Sequence, residues 1–455
     1  MVRDLVRNDG KLPQVRKASA QGLLQGVALG VICALVSSSV YTDTVMVVLT
    51  AACGLLLYVA MWGRPRFSFV VWLLSMATVP IWINVELTVT VPLHCIVALM
   101  AITANISRVE LAITKYDMYF AAFLAVALAA VLLGGPSVTP WTLILVRWGI
   151  PYFAVRVLVS ATGTRFAVNA IAAVLGSVGW LAVLELMLAW HPFVGWDLGG
   201  LEYETWHVIQ VRHGGDRSEW AFGHSLALGG ALAISIPFVA RSSFSVLLRI
   251  VLLAGAGGGI LATGSRGALV AAAFTAAICV LYLAKRTIVR VAAFALVLPA
   301  VMFVAPRVLP ILETWARGTS DEEQGSFAHR GLLYSSYLPR IEWFGTSAEN
   351  LSIDSQVMYI GLGFGWVVLV LAVIPVAISS IRLVSGRAST AEIAIVGQIP
   401  LFATVALITQ YESIVFLVAG IAVQMVINAG KNQEIGDVAH STTERSLPHA
   451  GARPT

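Results

Sequence analysis

Apolar residues along this chain gather in long runs that stop only at short polar turns. With a window of about 19 residues, the runs fall near 22–40, 44–62, 67–83, 91–107, 117–134, 140–159, 166–190, 223–240, 246–263, 267–284, 291–305, 353–380, 391–409 and 414–429. Each approaches the ~20 residues that an α-helix needs to cross a bilayer. The pattern predicts an all-α polytopic membrane protein with about 12–14 transmembrane helices. Two connections are long, 191–222 and 306–351. The organisation is therefore a basic tail at 1–20, helices over 21–190, a first loop at 191–222, helices over 223–305, a second loop at 306–351, helices over 352–429 and a disordered tail at 430–455.

Composition strengthens this reading. Hydrophobic residues are 58% of the 455 and charged residues 12%, about half the charged share of an ordinary soluble domain. The net charge of +5 comes from bases scattered singly between apolar runs, not from a stripe fitted to nucleic acid. Their distribution sets orientation instead. Alternating spans from a cytoplasmic N-terminus put Arg64, Arg66, Arg108, Lys115, Arg241, Arg249, Lys285, Arg382 and Arg387 on the inner face, with most acids outside. Both termini are then expected in the cytoplasm of a multi-pass inner-membrane protein, with both long loops on the outer face. Trp196, Tyr203, Trp206, Trp220, Trp315, Tyr334, Tyr337 and Trp343 make those loops too aromatic for disorder. Cys33, Cys53, Cys95 and Cys279 lie inside apolar runs without CxxC spacing, so no disulfide framework or zinc site is indicated. Walker, GxGxxG, HExxH and GxSxG patterns are absent, which removes the usual residues for nucleotide hydrolysis, dinucleotide redox chemistry, zinc proteolysis and serine hydrolysis.

Three stretches put charge or histidine beside small residues at the outer edge of a span. In the first, Asp216 to Gly229, Arg217 offers a donor fork suited to phosphate oxygens, and Gly223 lets backbone approach a ligand. Alternatively Arg217 pairs with Asp216 or Glu219 and His224 caps a helix. In the second, Leu261 to Leu269, Arg266 sits in a tight turn between apolar helices. It either faces a polar cavity or snorkels to the surface. The third holds His329, Arg330 and Tyr334, then Ser352 to Tyr359. Asp354 is a general base there or the N-cap of the next helix, and Phe327 to Phe344 suits an amphipathic helix on the membrane or an aromatic belt. Within the spans, Arg147 and Arg156 are placed to pair with Glu185, while Arg147 can also meet an anionic head group.

Arg217 followed by Phe222-Gly223-His224 and Leu228-Gly229, then Thr263-Gly264-Ser265-Arg266-Gly267-Ala268, then Ser352-Ile353-Asp354 through Tyr359 to Gly365, resembles the O-antigen ligase and polymerase superfamily. The resemblance is strongest from about Arg217 to Gly365. It implies a GT-C-like glycosyltransferase, without metal or cofactor, that takes a glycan from a polyprenyl-pyrophosphate carrier and joins it to an acceptor hydroxyl. Arg217 and Arg266 would hold the pyrophosphate, with Arg330 as a third member. Ser265, Tyr334, His224 and Arg147 complete the expected substrate-binding set. Where ligases of this family carry a His-Asn pair, this sequence has Asp354-Ser355, which fits the exopolysaccharide-polymerase branch better. Asp354 would then be the base, with His329 and after it His224 as substitutes. The expected function is polymerisation of polyprenyl-pyrophosphate-linked oligosaccharide in cell-surface polysaccharide synthesis, with a ligase attaching glycan to lipid or protein as its variant and a lipid-linked oligosaccharide flippase as the rival. Partners expected are the lipid-linked glycan, a glycan or lipid acceptor, membrane lipids and a flippase and chain-length regulator of the same pathway, with no nucleic acid.

Overall fold

The computed structural model describes residues 44–86, 89–109, 111–134, 137–197, 200–212, 215–283, 334–345 and 355–445. The spans expected at 22–40 and 291–305 lie outside them. Helices α1 (Thr44–Met61), α2 (Pro65–Thr78), α3 (Leu93–Asn105), α4 (Lys115–Gly134), α5 (Thr139–Thr162) and α6 (Thr164–Leu188) lead to a short α7 (Leu201–Trp206). Then come α8 (Ser225–Arg241), α9 (Val246–Ala262), α10 (Arg266–Leu283), α11 (Gln356–Phe364), α12 (Trp366–Val384), α13 (Thr390–Gly397), α14 (Ile399–Thr404) and α15 (Thr409–Arg445). Two small antiparallel hairpins, β1 (Asn84–Glu86) with β2 (Thr90–Pro92) and β3 (Val211–Arg212) with β4 (Gly215–Asp216), are the strands among the described residues.

The fold is thus the all-α polytopic membrane class that the apolar runs predict. Among the described residues α4, α5, α6, α12 and the first part of α15 are long and apolar enough to cross a bilayer, and six shorter apolar helices accompany them. Helices suit this solvent because each satisfies its own backbone hydrogen bonds. Leu132, Leu133, Met187, Leu188, Ile381 and Val384 remain exposed on the outside of the bundle, as lipid-facing positions should.

Helix α8 is buried along nearly its whole length and packs against α6, α9, α10 and α13. Glycine makes this closeness possible: a Cβ on Gly229 would lie 2.4 Å from Ala268 Cβ, and one on Gly230 2.7 Å from Tyr411 Cε2. Helices α6 and α9 meet in the same way, since a Cβ on Gly179 would lie 2.2 Å from Gly255 O and one on Gly259 2.7 Å from Gly179 Cα. Small residues spaced four apart, here Gly255 and Gly259, let membrane helices approach backbone to backbone. Gly179→Ala should therefore destabilise the bundle by about 1–3 kcal/mol through overpacking. Gly257→Ala, whose Cβ meets open space, should leave thermal unfolding in detergent unchanged or slightly raised.

Two expected spans are bent. The run 353–380 divides at Gly365, whose φ of +93° suits glycine and whose Cβ would lie 2.7 Å from Trp343 O. The run 391–409 divides after Gly397, where Pro400 in the first turn of α14 removes a backbone donor. At the C-terminus α15 starts at Thr409 and continues to Arg445, beyond residue 429, where the sequence predicts a disordered tail. Of the amphipathic helix expected over 327–344, residues 334–337 are helical and run into a 3-10 turn at Leu338–Arg340.

The buried ion pairs correct one expectation. Arg156 bonds both oxygens of Asp117, at 2.8 and 2.9 Å, and also reaches Gln424. Arg147 pairs with Glu202 at 2.7 Å and Glu412 at 3.1 Å. Glu185 receives neither arginine, because it sits in the last turn of α6 and turns toward the first long loop. Pairing within the bundle is what sequence predicts, but with these partners.

Contacts sort the helix ends into two groups. Gly63 bonds Ala104, Arg66 lies over Phe166, Asn169 bonds Ser243, Arg241 lies over Tyr282, and Tyr282 bonds Gly386, gathering Arg66, Arg108, Arg241 and Arg387 at one end. At the other, Gln410 bonds Val79 and Ala221, Trp82 bonds Trp196, and Arg217 bonds Thr263. This second end carries Glu86, Glu202, Asp216 and Glu219.

Candidate functional site at the acidic end

The site is built on the turn between α9 and α10. Thr263 closes α9, with its hydroxyl bonded to Ile260 O at 2.7 Å. Gly264 has φ +56°, and the hydroxyl of Ser265 accepts the Ala268 N–H at 3.4 Å, capping α10. Ser265 is buried, so its hydroxyl serves the cap. Arg266 is the first residue of α10, half-buried at the positive end of the helix dipole.

Arg217 comes to this turn from the first long loop. Its Nε donates to Thr263 O at 2.7 Å and its Nη1 to Gln210 Oε1 at 3.3 Å. The backbone follows, with Ser218 N–H on Ala262 O at 3.1 Å. Gln210 also accepts from Ser225 Oγ at 2.8 Å, linking the loop to the start of α8. The two arginines singled out from sequence, far apart in the chain, thus flank one turn.

Next to Arg217, Glu219 is 5% exposed and accepts the Gln210 N–H at 2.9 Å. Burial lifts its carboxyl to about 7, against the opposing pull of the Gln210 N–H and the Arg217 charge. A carboxyl whose folded pKa is raised holds its proton better folded than unfolded. Its stabilisation is complete below about 4.5 and is lost as pH rises through about 7. Thermal stability should therefore fall between roughly pH 5 and pH 8 in wild type, and Glu219→Gln should flatten that slope.

His224 caps α8, its Nδ1 accepting the Leu226 N–H at 3.2 Å, with its ring edge-on to Trp206 at 6.0 Å. The capping alternative is therefore the observed geometry. Gly223 has φ +63°, and a Cβ there would lie 2.9 Å from Trp82 Cζ3 and 3.0 Å from Trp206 O. Its close approach is to Trp82, before β1, and to Trp206 of the loop.

Arg147 occupies a π-helical turn, Leu145–Gly149, inside α5. Trp148 Nε1 shares Glu412 at 2.9 Å, and Trp206 Nε1 shares Glu202 at 2.7 Å. One guanidinium between two carboxylates is already neutralised, and the cluster pins α7 of the loop to α5 and α15.

Tyr334 OH bonds Ser355 Oγ at 2.9 Å and the carbonyl of Ala403 in α14. Ser355 is the N-cap of α11, accepting from Met358 N–H. Asp354, His329 and Arg330 lie outside the described residues. Ser355 and Tyr334 hold Ala403, and α14 packs on the start of α10, where a Cβ on Gly267 would lie 3.2 Å from Leu401 Cδ2. One short helix therefore separates the Arg266 turn from the residue that follows Asp354.

Sequence reasoning missed Gln210, Glu219 as a buried acid, and the orientation of Glu185. Nothing in their spacing marks them, because each acts through a contact between the loop and a helix end.

Residues 248–363 match the family model described as O-antigen ligase. The stretch runs from α9 into α11 and includes Arg266, Arg330 and Asp354, while Arg217, His224 and Arg147 lie before it. The match supports the O-antigen ligase/polymerase superfamily for this chain. Searches of the curated proteins and of the solved structures give no match.

Proposed function

We propose that this protein is a glycosyltransferase that polymerises oligosaccharide units carried on polyprenyl pyrophosphate, with its site at the outer face of the cytoplasmic membrane. The O-antigen ligase family is one of glycosyl-transfer enzymes acting on lipid-linked glycans. The observation that carries the reading is the meeting of Arg217 and Arg266 about one turn at the mouth of the bundle. Segregation of basic residues to the opposite end supports a cytoplasmic placement of that end and of both termini.

In the reaction, the acceptor hydroxyl oxygen attacks the anomeric carbon of the donor sugar from the face opposite the diphosphate. The carbon–oxygen bond to the diphosphate breaks, and its electron pair leaves with the phosphate oxygen. Arg217 and Arg266 hold that oxygen's growing negative charge, as preorganised cations in a water-poor cleft do. Asp354 takes the acceptor's proton, and the anomeric configuration inverts. Arg330 and Tyr334, both from the second long loop, contact donor or acceptor, Tyr334 from its place on Ala403 of α14. The Asp354-Ser355 pair supports polymerase over ligase.

The test uses purified protein in lipid with a polyprenyl-pyrophosphate oligosaccharide pool, following product length by gel. A ladder establishes the polymerase. Transfer of single units to an added acceptor assigns the ligase instead. Donor movement across liposomes without transfer overturns both in favour of a flippase.

A further inference from the structure

The first long loop does not hold Arg217 in place by itself. Glu185, 2% exposed in the last turn of α6, receives three donors from it: the Ser218 hydroxyl, the Trp220 N–H at 2.8 Å and His191 Nδ1 at 2.9 Å. A carboxylate at this place is costly, since it is buried and lies at the negative end of a helix dipole. Such a group persists where its hydrogen bonds are satisfied, and here both oxygens are. Trp220 has φ +45°, a left-handed backbone that a bulky aromatic side chain rarely adopts. Strain of this kind persists only where surrounding contacts dictate it, and the Trp220 N–H bond to Glu185 is one of them.

On its other side the same segment is fixed to α9. Ser218 N–H bonds Ala262 O at 3.1 Å and Arg217 Nε bonds Thr263 O at 2.7 Å. Residues 217–220 therefore form a strap held between the C-terminal ends of two helices, by Glu185 from α6 and by carbonyls from α9. Helices α6 and α9 are themselves locked together through Gly179, Gly255 and Gly259, so the two anchors keep a fixed separation. His191 itself lies beside the strap, its Nε2 3.6 Å from Asp216 Oδ2.

We propose that Glu185 is the positioning residue for Arg217, setting the strap so that the guanidinium stays on the Thr263–Arg266 turn. Glu185 itself touches no substrate. The inference rests on reading Arg217 as a ligand for the donor's diphosphate, and its test has one arm that does not.

Full-length wild type, Glu185→Gln, Glu185→Asp and Ser218→Ala are compared in lipid. In the arm independent of activity, hydrogen exchange is followed in peptides covering 216–222, with α9 as the internal standard. Glu185→Gln should speed exchange over 216–222 by about tenfold or more, as expected for loss of a hydrogen bond to a charged acceptor, with α9 unchanged. Unaltered exchange over 216–222 in both Glu185→Gln and Ser218→Ala overturns the proposal, whatever the protein catalyses. In the activity arm, KM for the polyprenyl-pyrophosphate oligosaccharide should rise about tenfold in Glu185→Gln while kcat falls much less, and Glu185→Asp should recover part of the loss. Faster exchange with an unchanged KM also overturns it. If wild type transfers no glycan, the functional reading fails, and the exchange arm still decides whether Glu185 sets the strap.

Discussion

Arg266→Ala should cost glycan extension a factor of about 10²–10³ or more while the protein still inserts and elutes as a single species. The reason is where charge develops. A diphosphate departing from an anomeric carbon gains negative charge on the bridging oxygen, and Arg266 stands at the first position of α10, where the helix dipole adds to its own charge. Ala262, Ala268 and Leu401 beside the turn are all buried and apolar, so they offer no side-chain donor to replace that stabilisation. Arg217→Ala should act in the same direction, because its guanidinium lies on the same turn through Thr263 O. On the proposal that both arginines serve one diphosphate, the double variant should lose less than the product of the two single losses. Arg217→Lys should recover only part of the activity, as an ammonium lacks the fork that reaches Thr263, Gln210 and a phosphate oxygen together. Product length on a gel, with monodispersity measured alongside, checks each. A well-folded Arg266→Ala protein that builds full-length polymer would rule out the pyrophosphate role.

Much of the fold is legible in the sequence because membrane helices announce themselves by length and hydropathy. The runs at 44–62, 117–134 and 246–263 correspond to α1, α4 and α9 within a few residues. The bends at Gly365 and near Pro400 are harder to foresee. Hydropathy is blind to them: Gly365 interrupts nothing apolar, and its left-handed backbone answers to Trp343 O on a distant loop. The candidate site divides in a similar way. Arg217 and Arg266 stand out because a lone charge beside glycine at the edge of an apolar run is expensive. Glu185 stands out for the same reason, yet its partners are misassigned. Along the chain it is a mid-bundle acid near Arg147 and Arg156, whereas in space the loop turns back so that Ser218 and Trp220 reach it first. Those two arginines take Asp117, Glu202 and Glu412, from α4, α7 and α15. Periodicity gives the face of a helix but not which distant helix lies against it.

Asp354→Asn should preserve shape and donor binding but remove the proton acceptor, lowering kcat by about 10²–10⁴ with little change in donor KM. The local structure gives this variant its meaning. An aspartate just ahead of a helix is often simply its cap, and Asn is nearly as good a cap as Asp. Here the cap of α11 is Ser355, which accepts the Met358 N–H and is tied to Ala403 O and Tyr334 OH. The N-cap place of α11 is thus taken by Ser355, and an effect of Asp354→Asn on rate without loss of stability would assign the carboxylate to chemistry. The control is Ser355→Ala, which removes the cap and should lower stability by about 1 kcal/mol. Near-normal turnover in Asp354→Asn moves the base to His329, whose ordinary pKa of about 6.5 suits it to accept a proton at neutral pH. The two alternatives separate by pH profile. With Asp354 as base, kcat stays level from about pH 8 down to about pH 6, since a carboxylate near its ordinary pKa is ionised throughout. With His329 as base, kcat falls through about 6.5 as the imidazole takes up its proton.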